Sequence, residues 1–251
     1  MALTITPLPG IPLIRPGDDL AAIILASLQR IHLTLRDGDI LVVAQKIVSK
    51  AEGRLVNLAQ VTPSKDANDL AASTQKDPRL VELILRESRV VLRSRPGSII
   101  VEHRLGFVCA SAGIDHSNVQ AGEEWVLLLP EDPDRSAKCL RAGLQEASGK
   151  RLGVMIIDSH GRAWRLGTVG VAIGLAGIPG LVDLRGQPDM FGRTLQITLV
   201  AAADELAAAA SLMIGQAAES TPVVHVRGFP YPLREGSLRE LLRPREEDLF
   251  R

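Results

Sequence analysis

Short aliphatic runs separated by polar turns dominate the chain, and their spacing predicts a mixture of strands and helices. Asp39 to Ala44, Leu152 to Ile157 and Pro222 to Val226 have the length and composition of buried strands. Arg89 to Leu92, Ser98 to Glu102 and Gly106 to Ala110 are short, with turns between them, and predict an antiparallel meander. Trp125 to Leu129, Val169 to Ile173 and Leu195 to Val200 read as further strands. Helical spacing begins after Asp18-Asp19, where Leu20, Ile23, Ile24, Ser27 and Leu28 share one face. Asp77-Pro78 and Asp132-Pro133 each join a capping aspartate to a proline at the first helical position, and Gly149 closes the second of these helices. Ala202 to Met213 predicts an alanine-rich helix ending near Gly215. Met1 to Pro16 is proline-rich and extended, and the tail from Pro230 is charged and helical in part. Strands and helices do not alternate strictly, so the expected class is α+β with mixed, largely antiparallel sheets.

Composition narrows the function classes. With aromatic residues at only 3%, aliphatic side chains must build the core of this 251-residue chain. Lysine plus arginine (29) equals aspartate plus glutamate (29), which argues against non-specific binding to nucleic acid or a membrane surface. No apolar stretch reaches the roughly 18–20 residues of a membrane helix, and no basic-then-apolar leader opens the chain. A cytoplasmic enzyme is the expectation. Cys109 and Cys139 are too few for a disulfide framework and read as plain buried thiols. No fixed-period repeat or low-complexity linker divides the sequence.

Two polar segments stand out against this apolar background. Ala112-Gly-Ile-Asp-His-Ser-Asn-Val119 offers Asp115 with Ser117 and Asn118 close behind. Asp158-Ser-His-Gly-Arg-Ala-Trp-Arg165 places Asp158 at the end of an apolar strand, with Ser159 beside it and Arg162 and Arg165 following. Each aspartate serves equally as a turn starter or as an oxygen ligand for a hard cation such as Mg²⁺ or Mn²⁺. The arginines suit phosphate or carboxylate groups, or simply a charged surface. His160 fits a structural role better than a place among oxygen ligands. In Gln45-Lys-Ile-Val-Ser-Lys-Ala-Glu-Gly53, Lys46 and Lys50 lie four residues apart, on a solvated helix face or against phosphate charge. Neither a P-loop nor a Gly-x-Gly-x-x-Gly follows any strand, so a nucleotide would need another cradle, to which Pro9-Gly10-Ile11 could contribute. Gln216 stands just past a helix end.

Taken together and in order, these stretches resemble the coenzyme F420-0:L-glutamate ligase family. The likeness runs from Leu8-Pro-Gly-Ile-Pro to Val226-Arg-Gly, through Gln45 to Gly53, Lys76-Asp-Pro-Arg-Leu-Val-Glu-Leu-Ile-Leu, Gly106-Phe-Val-Cys-Ala-Ser-Ala-Gly-Ile-Asp and Leu128-Leu-Pro-Glu-Asp-Pro-Asp. It continues through Asp158 to Arg165, Val171-Ala-Ile-Gly and Ala203-Asp-Glu-Leu-Ala-Ala-Ala-Ala. The resemblance implies a GTP-driven amide ligase that phosphorylates a carboxylate of F420-0 and couples the acyl phosphate to L-glutamate, with a second, gamma-linked glutamate as an option. It implies one cation on Asp115 and Asp158 and a second served by Ser159 and Gln216, with Mg²⁺ or Mn²⁺ as the metal and K⁺ as an aid. It implies GTP contacts from Pro9, Gly10, Ile11, Gln45, Lys46, Lys50, Asn118 and the stretch Ile214, Gly215, Gln216, Ala217, Ala218 and Glu219. Lys50, Arg162 and Arg165 are the expected catalytic cations. A homodimer of two intertwined lobes is implied as well, with residues 1–251 forming one catalytic unit and no following flavin reductase domain.

Two departures qualify the likeness. Ser159 stands where the family often has threonine, and Gly167-Thr-Val-Gly170 replaces a common Gly-Gln-Thr-Asp. The second leaves open the same machinery acting on another acceptor carboxylate. A non-catalytic nucleotide- or metal-binding regulator is the third reading.

Overall fold

The computed structural model describes residues 2–117, 119, 122 and 124–249. The first half runs β1 (Thr4–Pro7), α1 (Leu20–Arg30), β2 (Ile40–Ala44), α2 (Gln45–Ala51), β3 (Leu55–Asn57), α3 (Lys65–Thr74) and α4 (Pro78–Arg86). A meander follows, β4 (Ser88–Arg95), β5 (Ser98–His103) and β6 (Val108–Ala110), and then β7 (Trp125–Leu127). The second half is α5 (Pro133–Ser148), β8 (Gly153–Arg162), β9 (Arg165–Ala176), β10 (Val182–Asp183), β11 (Leu199–Val200), α6 (Ala202–Ile214) and β12 (Val223–Arg227). The α+β class holds, and among the described residues every strand pairing is antiparallel except that between β2 and β8.

The central sheet has the order β1-β12-β2-β8-β9. Both faces are covered, which explains why its middle strands read as unbroken aliphatic runs rather than alternating ones. Leu41, Val43, Val154 and Ile156 pack with Ile24, Leu28 and Leu144 of α1 and α5 on one side. Ile40, Val42, Met155 and Ile157 pack with Ala203, Leu206, Ala207 and Ala210 of α6 on the other. Two glycines of β9 set how closely the helices approach. A Cβ at Gly170 would lie 2.5 Å from the Ala207 carbonyl oxygen, and one at Gly174 would lie 2.4 Å from that of Pro133. An acidic side chain at position 170 is therefore incompatible with this seating of α6.

A second apolar cluster joins α3, α4 and the meander, built from Leu80, Val81, Leu83, Ile84, Ile99, Val101, Val126 and Leu128. Asp77 caps α4 through the Arg79 amide at 2.8 Å, and Asp132 caps α5 through Arg135 at 3.0 Å. Helix α3 has no counterpart among the sequence expectations. It buries only Ala67, Ala71 and Thr74, a stripe too small to stand out by hydrophobicity. Leu195 to Val200 shrinks to the two residues of β11. Strand β8 does not stop at Ile157; it continues to Arg162, because β9 pairs with its polar half and supplies the ladder that an isolated strand end would lack. Cys109 is buried as expected, but Cys139 is exposed on α5. Among the described residues no helix is long and apolar enough to cross a membrane.

One buried ionic cluster fastens the end of the sheet away from β2's carboxyl terminus. The Asp39 carboxylate accepts from Arg227 Nε at 2.9 Å and Nη2 at 2.7 Å and from the Arg36 amide at 2.8 Å, while His225 Nε2 lies 2.9 Å away. Burial pushes the carboxyl upward, yet Arg227, His225 and the amide outweigh it and hold Asp39 below the usual carboxylate range. A group depressed in the folded state stabilises above its unfolded pKa and loses that contribution as pH falls through the folded value. Arg227→Ala is expected to cost about 3 kcal/mol at pH 7, the low end for breaking a buried pair because the guanidinium reaches solvent. Urea unfolding at pH 7 and at pH 3 checks this: the gap between variant and parent narrows at the lower pH, which lies below the ordinary aspartate pKa, so that the unfolded chain takes up a proton that folded Asp39 resists.

Candidate functional site

β2 and β8 run parallel, and their paired register ends at Ala44 opposite Ile157. The residues that follow, Gln45 at the start of α2 and Asp158 within β8, open onto a cavity of about 700 Å³. Helix α2, Cys109, Ala110, the segment Gly113 to Asp115 with Ser117 and Val119, the outer half of β8 and the loop after α6 line it. Gln45, Lys46, Lys50, Asp115, Asp158, Ser159, Ile214, Gly215, Gln216, Ala217, Ala218 and Glu219 all reach this one space, although they come from four separate stretches of sequence.

Asp115 is fixed at both main chain and side chain. Its amide and carbonyl exchange hydrogen bonds with Leu127 at 3.0 and 2.9 Å, an isolated bridge to β7. Consecutive left-handed φ values at Ser111 (50°), Ala112 (52°) and Gly113 (66°) turn the chain into that bridge. For the two non-glycine residues this conformation costs on the order of 1 kcal/mol each. Gln45 Nε2 donates to Asp115 Oδ2 at 2.7 Å, and its amide oxygen accepts from Ser49 Oγ at 2.9 Å, which sets the amide's orientation. Lys46 Nζ lies 3.2 Å from Asp115 Oδ1 and 2.9 Å from Ser117 Oγ. Burial pushes the Asp115 carboxyl upward and the charge of Asp158 adds to the push, against Lys46 and Gln45. Lys50 is shifted down, first by burial and then by the like charge of Lys46.

Asp158 faces His160, whose Nε2 is 3.0 Å from Oδ2. Cys109 also lines the cavity; burial and the Asp158 charge push its thiol up to about 12, so it stays protonated and unreactive. Gln216 Nε2 donates to Ser211 Oγ at 3.2 Å. In the loop beyond, the Glu219 carboxylate folds back onto backbone amides, accepting from Ala217 N at 2.8 Å. Those amides hold it below the usual carboxylate range. The loop is thus a concave array of N–H donors already holding an anionic group.

Other expected site residues fall elsewhere. Pro9, Gly10 and Ile11 do not line the cavity: the Pro9 carbonyl accepts from Ser27 Oγ at 2.7 Å and that of Gly10 from Arg30 at 2.5 Å, so this lead-in is strapped to α1. Leu13, slightly further on, lines it instead. Arg162 and Arg165 pair across the tip of the β8–β9 hairpin, both exposed and outside the cavity. Their place follows from the hairpin that carries β8 past Ile157. Asn118 lies outside the described residues. Sequence reasoning missed Leu13 and Ser211; the five-residue interval from Ser211 to Gln216 across a helix end was the available sign of the latter.

Among the described residues no group of three His, Cys, Asp or Glu side chains clusters as a metal site. A hydroxyl and an amide, those of Ser159 and Gln216, line the same cavity as the two carboxylates. That all-oxygen chemistry, with two carboxylates whose charges oppose one another, suits a hard divalent cation.

The sequence matches the F420-0:gamma-glutamyl ligase family over residues 10–228. A coenzyme F420:L-glutamate ligase of Methanothermobacter thermautotrophicus is 49% identical, covering 100% of both chains. That of Methanopyrus kandleri is also 49% identical, over 99% of this chain and 98% of its own. The Archaeoglobus fulgidus ligase is 43% identical, over 100% of this chain and 97% of its own. With a cavity that gathers carboxylates, lysines and an anion-holding loop, and with relatives this similar from end to end, the chain belongs to the F420-0:gamma-glutamyl ligase family.

Proposed function

We propose that this protein joins L-glutamate to coenzyme F420-0 through an amide bond, driven by GTP and a divalent cation. Family membership and the relatives' names support the two substrates. The observation that carries the phosphate chemistry is the meeting, in one cavity, of Asp115 and Asp158, Lys46 and Lys50, and a loop whose amides grip the Glu219 carboxylate. A phosphate group of GTP would take the place of that carboxylate. The volume lies in the range of small-molecule sites.

In the first step a carboxylate oxygen of F420-0 attacks the terminal phosphorus of GTP, the bond to GDP breaks, and an acyl phosphate results. In the second the glutamate amine attacks the acyl carbon, inorganic phosphate leaves and the amine gives up a proton. Lys46 and Lys50 neutralise charge on the phosphate oxygens, and Gln45 and Lys46 hold Asp115 in place. A bound Mg²⁺ or Mn²⁺, held by Asp115 and Asp158 with Ser159 and Gln216 serving a second ion, would supply further charge neutralisation. Enclosing both substrates in one cavity makes the second step effectively intramolecular.

We further propose that two copies associate through the β8–β9 arm and residues 181–200. Trp164, Leu166, Met190, Phe191 and Ile197 are all more than four-fifths exposed there, an apolar surface that the chain itself leaves uncovered. A second copy would cover it by presenting the same arm in return, a self-complementary contact.

Three outcomes check these readings. Incubation with F420-0, GTP, Mn²⁺ and L-glutamate is expected to give a product heavier by one or more glutamyl units with matching GDP release, read by mass spectrometry; a folded protein that gives neither overturns the assignment. Asp115→Asn is expected to lower turnover by more than about 10²-fold while raising the thermal unfolding midpoint of the metal-free protein at pH 7. The sign follows from the upward shift of Asp115: a group raised in the folded state stabilises below its unfolded pKa and loses that contribution as pH rises through the folded value, so at pH 7 the charged form works against folding. Leu166→Asp combined with Ile197→Asp is expected to halve the mass seen by light scattering without altering the circular dichroism spectrum.

A further inference from the structure

His160 was expected to be structural rather than a ligand, and its contacts place it between the candidate metal carboxylate and Phe107 beside the meander. Asp158 and His160 lie two apart on β8 and so share one face of the strand. Pairing with Val171 and Val169 of β9 fixes the backbone of both. The imidazole Nε2 reaches Asp158 Oδ2 at 3.0 Å, and both side chains are largely buried. No hydrogen bond from the described residues engages Oδ1.

The imidazole is in turn held from behind. Phe107 packs on it with ring centroids 5.2 Å apart and planes tilted by 49°. Phe107 also stacks on His103, 5.1 Å away and within 6° of parallel. His103 is fully buried. Its Nδ1 accepts the Leu105 amide at 3.0 Å, which leaves the ring proton on Nε2, 3.7 Å from Glu87 Oε2. Glu87 is gripped by Arg54 at 3.1 Å and Arg104 at 2.9 Å. Fixed groups thus run from α4 and the meander, through three rings, to one oxygen of Asp158.

We propose that His160 is a positioning residue: by holding Oδ2 it fixes the Asp158 carboxylate so that Oδ1 is presented to a divalent cation. Phe107 locks the imidazole in that orientation. Without this hold, Asp158 would rotate away from the like charge of Asp115 and would have to be ordered anew each time a cation bound. The inference rests on the metal reading of Asp158 given above. Partners that orient a ligand in this way typically contribute 10–100-fold to metal affinity.

The test is direct Mn²⁺ binding to the full chain, without nucleotide, by electron paramagnetic resonance and calorimetry. His160→Ala is expected to weaken Mn²⁺ by about 10–100-fold. His160→Gln, which returns a donor near the Nε2 position, is expected to recover most of the loss, and Phe107→Leu to show an intermediate defect. Unchanged Mn²⁺ affinity in His160→Ala, alongside lost binding in Asp158→Asn, overturns the positioning role and leaves the metal assignment standing. A glutamine variant no better than alanine also overturns it, because the ring itself would then be required. Asp158→Asn binding Mn²⁺ as tightly as the parent overturns the metal reading itself.

Discussion

The structure around the cavity depends on keeping two like charges together at the edge of an apolar core. Asp115 and Asp158 come from different elements, and the charge of Asp158 disfavours ionisation of Asp115. Left alone, such a pair would separate or take up a proton. Here neither carboxylate is free to move. Gln45, Lys46 and the β7 bridge hold Asp115, and His160 and the β8–β9 ladder hold Asp158. The upward shift of Asp115 follows from burial and the Asp158 charge outweighing these contacts, so its charged form works against the fold. A cavity whose chemistry opposes folding in this way is a common mark of function.

The remainder of the molecule supplies the rigidity this requires. The parallel pair β2–β8 is covered on both faces and delivers Gln45 and Asp158 side by side, without either lying on a mobile loop. Helix α6 lies flat on β9 because Gly170 and the alanines of its buried face let the backbones approach, and its end then sets Gln216 and the amide-rich loop at the cavity rim. At the far end of the same sheet the Asp39–Arg227 pair does the opposite of the Asp115–Asp158 pair. Its charges are complementary, and it stabilises the fold as it stands.

Much of this was legible in the sequence, for identifiable reasons. The buried strands and the capped helices α4 and α5 announce themselves through aliphatic runs and Asp-Pro starts, which are local signals. Helix α3 escaped because its contact face is Ala67, Ala71 and Thr74, and hydrophobic periodicity barely registers residues so small. The outer half of β8 escaped because Ser159 to Arg162 is polar, and only the distant partner β9 makes it a strand. The candidate site residues were visible as types, but not as a group. Lys46 reaches Asp115 across a separation of 69 residues, a fact of topology that no local pattern encodes.

The same distinction explains which residues were placed differently from expectation. Arg162 and Arg165 follow Asp158 closely in sequence, and proximity along the chain suggests proximity in the site. A β-hairpin breaks that link, since each step along β8 carries the chain about 3.3 Å further out, and four residues suffice to leave the cavity. His160 shows the converse. As a residue type it is a poor partner for oxygen-ligand chemistry, yet two residues along a strand return the side chain to the face of Asp158. The strand's rise carries the arginines out of the cavity, while its period of two brings the imidazole back to the carboxylate.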